Sequence, residues 1–322
     1  MPALVISIDF EMFWGVTDSK TIENYGANVL GEWQAIPAIL KLFKQYNVNA
    51  TWATVGMLMC KDFKQWSNLR PSIMPRYTRG NCSTYSVSAL ARELPKLFFA
   101  RPLVEQILAS NGQELASHTY SHFYCNEEGA TVEQFVADIE CVKEIFGEYG
   151  VQPTSLVFPR NQVLDEYLKV LWDAGISAYR GNQDHKLYQD GHLVKEGYAQ
   201  LLRALRIADS YLPLTGNHTC PLPTNTPKGQ LINIPGSRFL RPVSGYSLLD
   251  RSHLNRAKSG MLEAARENRV FHLWWHPHNF GNHTQANLIN LEKLLKYYQT
   301  LSQEYGMRSL TMRELDMSCR IH

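Results

Sequence analysis

His118 and His122 stand four residues apart in the run Ser117-His118-Thr119-Tyr120-Ser121-His122. That spacing brings two imidazoles to one side of a helical turn or tight loop, close enough to share a cation. Near the start of the chain Asp9 and Glu11 flank Phe10. On a strand, carboxylates two residues apart point to one face and the residue between them to the other. One carboxylate joined to the two imidazoles makes a three-ligand metal site, and its neighbour stays free as a base. This is the minimum equipment for metal-assisted hydrolysis, in which the cation polarises a carbonyl and lowers the pKa of water.

The elements that must position these groups are legible as alternating strands and helices. Leu4 to Phe10 reads as a buried first strand, and Ile36, Ile39, Leu40 and Phe43 recur at helical spacing. Val48 to Val55 returns to strand character, and a helix follows from Pro102 to Asn111, with Pro at its start and Gly112 past its end. Glu114 to Ser117, Ser155 to Phe158, Ile176 to Tyr179, Val270 to Trp275 and Met307 to Thr311 are further strands. Thr131 to Phe146, Leu164 to Ala174 and Gln285 to Glu304 are helices. Alternation at this pitch predicts parallel βαβ units. Chemical groups follow the strands: Asp9 and Glu11 the first, His118 and His122 the third, Arg160 the fourth, and His276 a late one. Catalytic groups at the C-terminal ends of parallel strands are what a barrel gives. Two stretches break the rhythm, 61–101 and 181–251. Loops of that length in a compact domain are more often functional than idle.

The chain has 322 residues, 44% of them hydrophobic and 19% charged, enough for the single domain over 1–322 that we expect. A net charge of +2 gives no case for nucleic acid. The opening Met1-Pro2-Ala3-Leu4-Val5 has no basic region and soon meets Asp9, so we expect no secretory signal and a cytoplasmic protein. No apolar run approaches a membrane span, leaving at most peripheral membrane contact. Cys60, Cys82, Cys125, Cys141, Cys220 and Cys319 show no paired spacing, and in the cytosol free thiols are expected.

Four blocks resemble the polysaccharide deacetylase (NodB-homology, carbohydrate esterase 4) superfamily. Ser7-Ile8-Asp9-Phe10-Glu11 sits where that family has Thr-Phe-Asp-Asp. Asn49-Ala50-Thr51-Trp52-Ala53-Thr54-Val55-Gly56 resembles its second strand, Ala-Thr-Phe-Phe-Val-x-Gly. The run from Gly112 to His122 is very similar to its metal motif, Gly-His-Glu-Ile-Gly-Asn-His-Thr-x-x-His. Thr311-Met312-Arg313-Glu314-Leu315 resembles its closing Thr-Leu-x-Glu-Leu. The resemblance implies an α/β fold, a distorted (β/α)7-type barrel, here with two long loop insertions. It also implies a divalent metal, usually zinc, and hydrolysis of an N-acyl group on an amino sugar. The Asp9-x-Glu11 spacing departs from the family's adjacent pair and resembles its deformylase branch. Phe158-Pro159-Arg160-Asn161-Gln162 departs from its Arg-x-Pro-Tyr.

By that resemblance Asp9 is the base and Glu11, His118 and His122 hold the metal. Glu11 as a structural partner of Arg160, or Asp9 as the ligand with Glu11 as base, are the alternatives. In Phe271-His272-Leu273-Trp274-Trp275-His276-Pro277-His278, His276 aligns with the family's general acid, His278 is the runner-up, and His272 is a core or supporting residue. Trp274 and Trp275 read as packing rather than sugar platforms. Arg160 is expected to orient Asp9 and keep it ionised, the alternative being a surface ion pair. Asn161, Trp14 and His278 are the candidates for substrate contact. Between Arg70 and Arg101 lie six basic residues and one acid, Glu93, around Leu97-Phe98-Phe99. That mix suits a phosphate-bearing or membrane-proximal substrate, or simply a packed insertion with a solvated basic face. The expected substrate is an N-acylated amino sugar, nucleotide- or lipid-linked, of surface-polysaccharide biosynthesis. A small cyclic amide, or a purely carbohydrate-binding role, are the rivals.

Overall fold

The computed structural model describes residues 1–188, 196–223, 226–227 and 229–320. Its strands are β1 (Ala3–Phe10), β2 (Ala50–Thr54), β3 (Gln113–Ser117), β4 (Ser155–Val157), β5 (Ala178–Arg180), β6 (Cys220–Pro221), β7 (Ile232–Asn233), β8 (Arg238–Phe239), β9 (Arg269–Trp275) and β10 (Arg308–Leu310). β1 through β5 pair in sequence order, all parallel, and β9 pairs parallel with β1 on its other side. The short strands β7 and β8 belong to one segment, 232–240, that joins the two ends of this curled sheet. Its first half bonds to the β5 edge, through Ile232 N to Ser177 O and Ile234 N to Tyr179 O. Its second half bonds to β9, through Ser237 N to His272 O and Leu240 N to Trp274 O. The result is a distorted (β/α)7-type barrel. The stretch 181–251 is therefore not all loop, since it supplies this closing segment.

β1 shows why the barrel has a chemical end. Leu4, Ile6, Ile8 and Phe10 face outward into the layer of helices, in one cluster with Ile36, Ile39 and Phe43. The alternate residues face the interior in the order Ala3, Val5, Ser7, Asp9, running from apolar to charged. The apolar half packs with Ala53, Val157, Ala178, Ile234 and Val270, and is closed by Leu310, Met312 and Leu315. Those last three come from β10 and the helix Met312–Cys319, which is capped by a Thr311–Glu314 box.

The helices Glu32–Tyr46, Arg101–Leu108, Val132–Gly147, Asp165–Asp173 and Thr284–Tyr305 fall where the apolar spacing places them, within a few residues at each end. The helices Ile22–Leu30 and Ser247–Glu267 were not read from the sequence. The stretch 61–101 forms short helices packed on the barrel, with Trp66, Leu97, Phe98 and Phe99 buried. All six cysteines are free. Among the described residues no helix is long and apolar enough to cross a membrane.

Candidate active site

The polar end of the barrel interior is a connected set of bonds. Ser7 Oγ lies 2.9 Å from Arg180 Nη1 and 2.8 Å from His272 Nε2. Arg180 donates two parallel bonds of 2.7 Å to Asp9, Nη1 to Oδ1 and Nη2 to Oδ2. Its Nη2 also donates to Asn161 Oδ1 at 2.9 Å, and its guanidinium lies 4.2 Å from the Trp274 ring. A two-pronged pair of this kind fixes geometry as well as charge. Burial would raise the Asp9 pKa, but the charge and bonds of Arg180 hold it below the ordinary carboxylate value.

One turn beyond, Glu11 sits among four imidazoles. Its Oε2 is 3.0 Å from His122 Nε2 and 3.4 Å from His118 Nε2. Its Oε1 is 3.0 Å from His278 Nε2 and 3.7 Å from His276 Nε2. His276 Nε2 also lies 3.6 Å from Asp9 Oδ2. Burial opposes ionisation of Glu11, yet the His276 charge and the bonds from His118, His122 and His278 bring its pKa well below the usual value. Burial lowers His122, and it takes His276 down to about 4 despite Glu11 and Asp9.

The donor set fits a divalent cation. His118 Nδ1 is 2.8 Å from the Val157 carbonyl, which places a proton there and leaves the Nε2 lone pair facing Glu11. Two ring nitrogens and a carboxylate oxygen at this spacing are a zinc-type ligand set. Glu11, His118 and His122 form one such group, and Glu11, His276 and His278 a second around the same carboxylate.

The histidine motif folds as a tight loop rather than a helical turn. Thr119 and His122 both take positive φ, 62° and 54°, a costly conformation for a β-branched residue that only a dense bonding pattern maintains. Here Ser117 Oγ accepts from Thr119 N at 3.0 Å, and Thr119 Oγ1 accepts from Phe123 N at 2.7 Å. The buried Asp138 carboxylate accepts from Tyr120 N at 2.7 Å, from Ser121 N at 3.0 Å and from the Ser121 hydroxyl.

The structure brings Asp9, Glu11, His118, His122, His276 and His278 together, with Asn161 touching Arg180. Two expected residues stand elsewhere. Arg160 does not hold Asp9: it pairs with Asp18 and Glu127 and lies over the Tyr124 ring at 4.3 Å. It sits beyond β4 at φ 55°, turned to the outer rim, whereas Arg180 ends β5 with its side chain inside the barrel. Trp14 is not a substrate contact. The turn Met12–Val16 drives it fully into the core, where it stacks on Trp66 and donates to Phe98 O at 2.8 Å. Trp275 is buried, while Trp274 lines the cavity. His278 is buried, with Nδ1 2.7 Å from the Tyr25 hydroxyl. Arg180, Asp138 and Tyr25 are the participants that sequence reasoning missed. Only Asp138 left a signal, as an acid on the apolar face of its helix.

From His276 and Trp274 a cavity of about 930 Å³ opens along the barrel mouth, past Asn161, Gln183, Arg238 and Arg241.

Comparisons with known proteins agree with this arrangement. The polysaccharide deacetylase family model matches residues 31–179. No curated protein sequence matches the chain. Among solved structures, a putative polysaccharide deacetylase from Mycobacterium smegmatis superposes with a TM-score of 0.59 at 13% identity, covering 99% of this chain and 90% of that one. A probable polysaccharide deacetylase from Pseudomonas aeruginosa gives 0.55 at 13% identity, covering 98% and 89%. An allantoinase gives 0.53 at 13% identity, covering 98% and 88%. At such identities the superpositions speak for the fold alone, while the family model speaks for the sequence of its first half. Residues 31–179 are thus similar in sequence to the polysaccharide deacetylase family, and the barrel has the fold of the solved structures named above.

Proposed function

We propose that the chain is a cytoplasmic, metal-dependent N-deacylase. It would remove an acetyl or formyl group from an amino sugar, nucleotide- or lipid-linked, in surface-polysaccharide (O-antigen or capsule) biosynthesis. The observation that carries the reading is the buried Glu11–His118–His122 set beside an Asp9 fixed by Arg180 and a cavity-facing His276. A divalent cation, zinc by the ligand types, would polarise the acyl oxygen and make water more acidic when bound there. Asp9, kept ionised by Arg180, takes the proton of the attacking water. The 3.6 Å from Asp9 Oδ2 to His276 Nε2 leaves a short path by which that proton reaches the leaving nitrogen. Ser7, itself bonded to His272, holds Arg180 from below and so helps to fix the position of the base. A small cyclic amide is the rival substrate class; a cavity of about 930 Å³ favours a sugar carrying a further group. A purely sugar-binding role has no use for a paired base and acid.

The test is metal analysis joined to turnover of N-acyl sugars. Wild type should hold about one tightly bound divalent ion per chain. His118→Ala should lose both metal and activity, and Asp9→Asn should keep the metal while turnover falls by about 10²-fold or more. His276→Ala should fall comparably with metal retained, and His278→Ala should weaken metal affinity about 10–100-fold. A metal-soaked crystal with no density between Glu11, His118 and His122 would overturn the reading.

A further inference from the structure

The walls of the cavity differ in charge. On one side Arg79 and Arg160 are matched by Glu127 and Asp18. On the other stand Arg206, Arg238 and Arg241, and behind them Arg256, with Asp209 as their one carboxylate partner among the described residues. Asp209 lies 3.6 Å from Arg238 and 3.5 Å from Arg256, and already accepts from Tyr188 Oη at 2.7 Å and Thr215 N at 2.8 Å. Arg206 and Arg241 have no carboxylate within ion-pair distance among the described residues. Among the described residues each side chain donates a hydrogen bond through Nε alone, Arg206 to Leu187 O at 2.6 Å and Arg241 to Ser210 Oγ at 2.7 Å, and their guanidinium groups lie near the Tyr188 and Phe239 rings. Arg238 is 97% buried, and its Nε has no partner among the described residues.

This wall is rigidly tied to the reacting groups. Arg238 opposes Leu273 and Phe239 opposes Trp274 in the β8–β9 ladder, and β9 leads directly to His276. A ligand reaching from His276 along Trp274 must meet these arginines.

We propose that the arginine wall binds an oxyanion group, phosphate or carboxylate, on the body of the substrate, away from the acyl amide. Guanidinium forks match such groups in pairs, which is why they outperform lysine there. Burial lowers the pKa of both Arg238 and Arg241, and at Arg238 the Arg256 charge adds to it against the opposing pull of Asp209. The proposal rests on the deacylase reading for the word substrate, but its binding test does not.

The test is isothermal titration of the whole protein with inorganic pyrophosphate and, separately, with glucuronate. Wild type should bind one of the two stoichiometrically, and which one distinguishes a phosphate-bearing from a carboxylate-bearing substrate. Arg241→Ala and Arg206→Ala should each weaken that probe at least about tenfold with unchanged thermal unfolding. Arg313→Ala, exposed at the far end of the barrel, should not change it. Anion binding without any deacylation would support this proposal while counting against the deacylase reading. No binding of either probe, or binding untouched by both cavity variants, would overturn it. So would equal turnover of neutral and anionic N-acyl sugars.

Discussion

At the scale of residues, one carboxylate organises the site: Glu11 touches His118 and His122 with one oxygen and His276 and His278 with the other. Its position depends on the absence of a side chain nearby, since a Cβ at Gly15 would fall on the Glu11 carboxyl group. Ordinarily a flexible side chain would step aside, but here stepping aside breaks four contacts. Gly15→Ala should therefore weaken metal affinity at least about tenfold while keeping every ligand, with the far-ultraviolet spectrum unchanged. Equal affinity by metal titration would show that Glu11 is not held this tightly. Asp138 acts one step further out, through the backbone between the two histidines. Burial raises its pKa from 3.8 to about 6, outweighing three bonds that favour the anion. The native carboxyl thus holds its proton to higher pH than the unfolded one. Its contribution to stability is complete below about pH 3.8 and is lost as pH rises through about 6. The wild type's stability relative to Asp138→Asn should fall by about 3 kcal/mol across that window. Urea midpoints that move in parallel for the two proteins would contradict the assignment.

At the scale of elements, helix Ser247–Glu267 shows where packing overrides propensity. Its Gly260 lies against the Phe271 ring of β9, closely enough that a Cβ would overlap it. Alanine should add about 1 kcal/mol of helix propensity, but overpacking costs about 1–3 kcal/mol. Gly260→Ala should therefore lower stability in denaturant melts, and a gain would mean that the helix can slide outward. The buried face of this helix has Leu254 and Met261 as its only large apolar residues, set among His253, Arg256, Ala257, Gly260, Ala264 and Ala265, so its apolar stripe is thin and interrupted by charge. That is why the sequence did not disclose it. The buried parallel strands were legible for the opposite reason, as largely apolar runs such as Leu4 to Ile8. The segment 232–240 offers two strands of two residues around Pro235 and Gly236, too short for any period to show. The arginine assignment failed on direction. Arg160 follows β4 and Arg180 ends β5, and only the pleat of β5 tells that Arg180 points inward. Trp14 failed similarly, because the turn after Glu11 buries Met12, Phe13, Trp14 and Val16 together in the core, with no cue in composition that it turns away from the mouth. The metal motif carried its own spacing, so His118 and His122 were found together.

At the scale of the whole molecule, the two ends of the barrel divide the work. Reactive groups gather at the C-terminal ends of the strands, while the other end is closed by β10 and helix Met312–Cys319. That closure is stitched to the barrel through side chains: Asn49 Nδ2 donates to Glu314 at 2.9 and 3.1 Å, Met312 N to Thr51 Oγ1 at 2.8 Å, and Arg313 N to Glu114 at 3.0 Å. Leu315 lies fully buried beneath the apolar half of the interior, in one cluster with Ala3, Val5 and Val270. Truncating it should cost about 2–5 kcal/mol, the transfer energy of the lost atoms plus the cavity they leave. Polar Ser7, Arg180 and His272 lie between that cavity and Asp9, already bonded to one another and unable to follow it downward. Leu315→Ala should thus lower the urea midpoint substantially while metal content and KM stay at wild-type values. A matching loss of metal or a raised KM would show that the two ends are coupled through the barrel wall, and that the plug helps to set the geometry of Asp9.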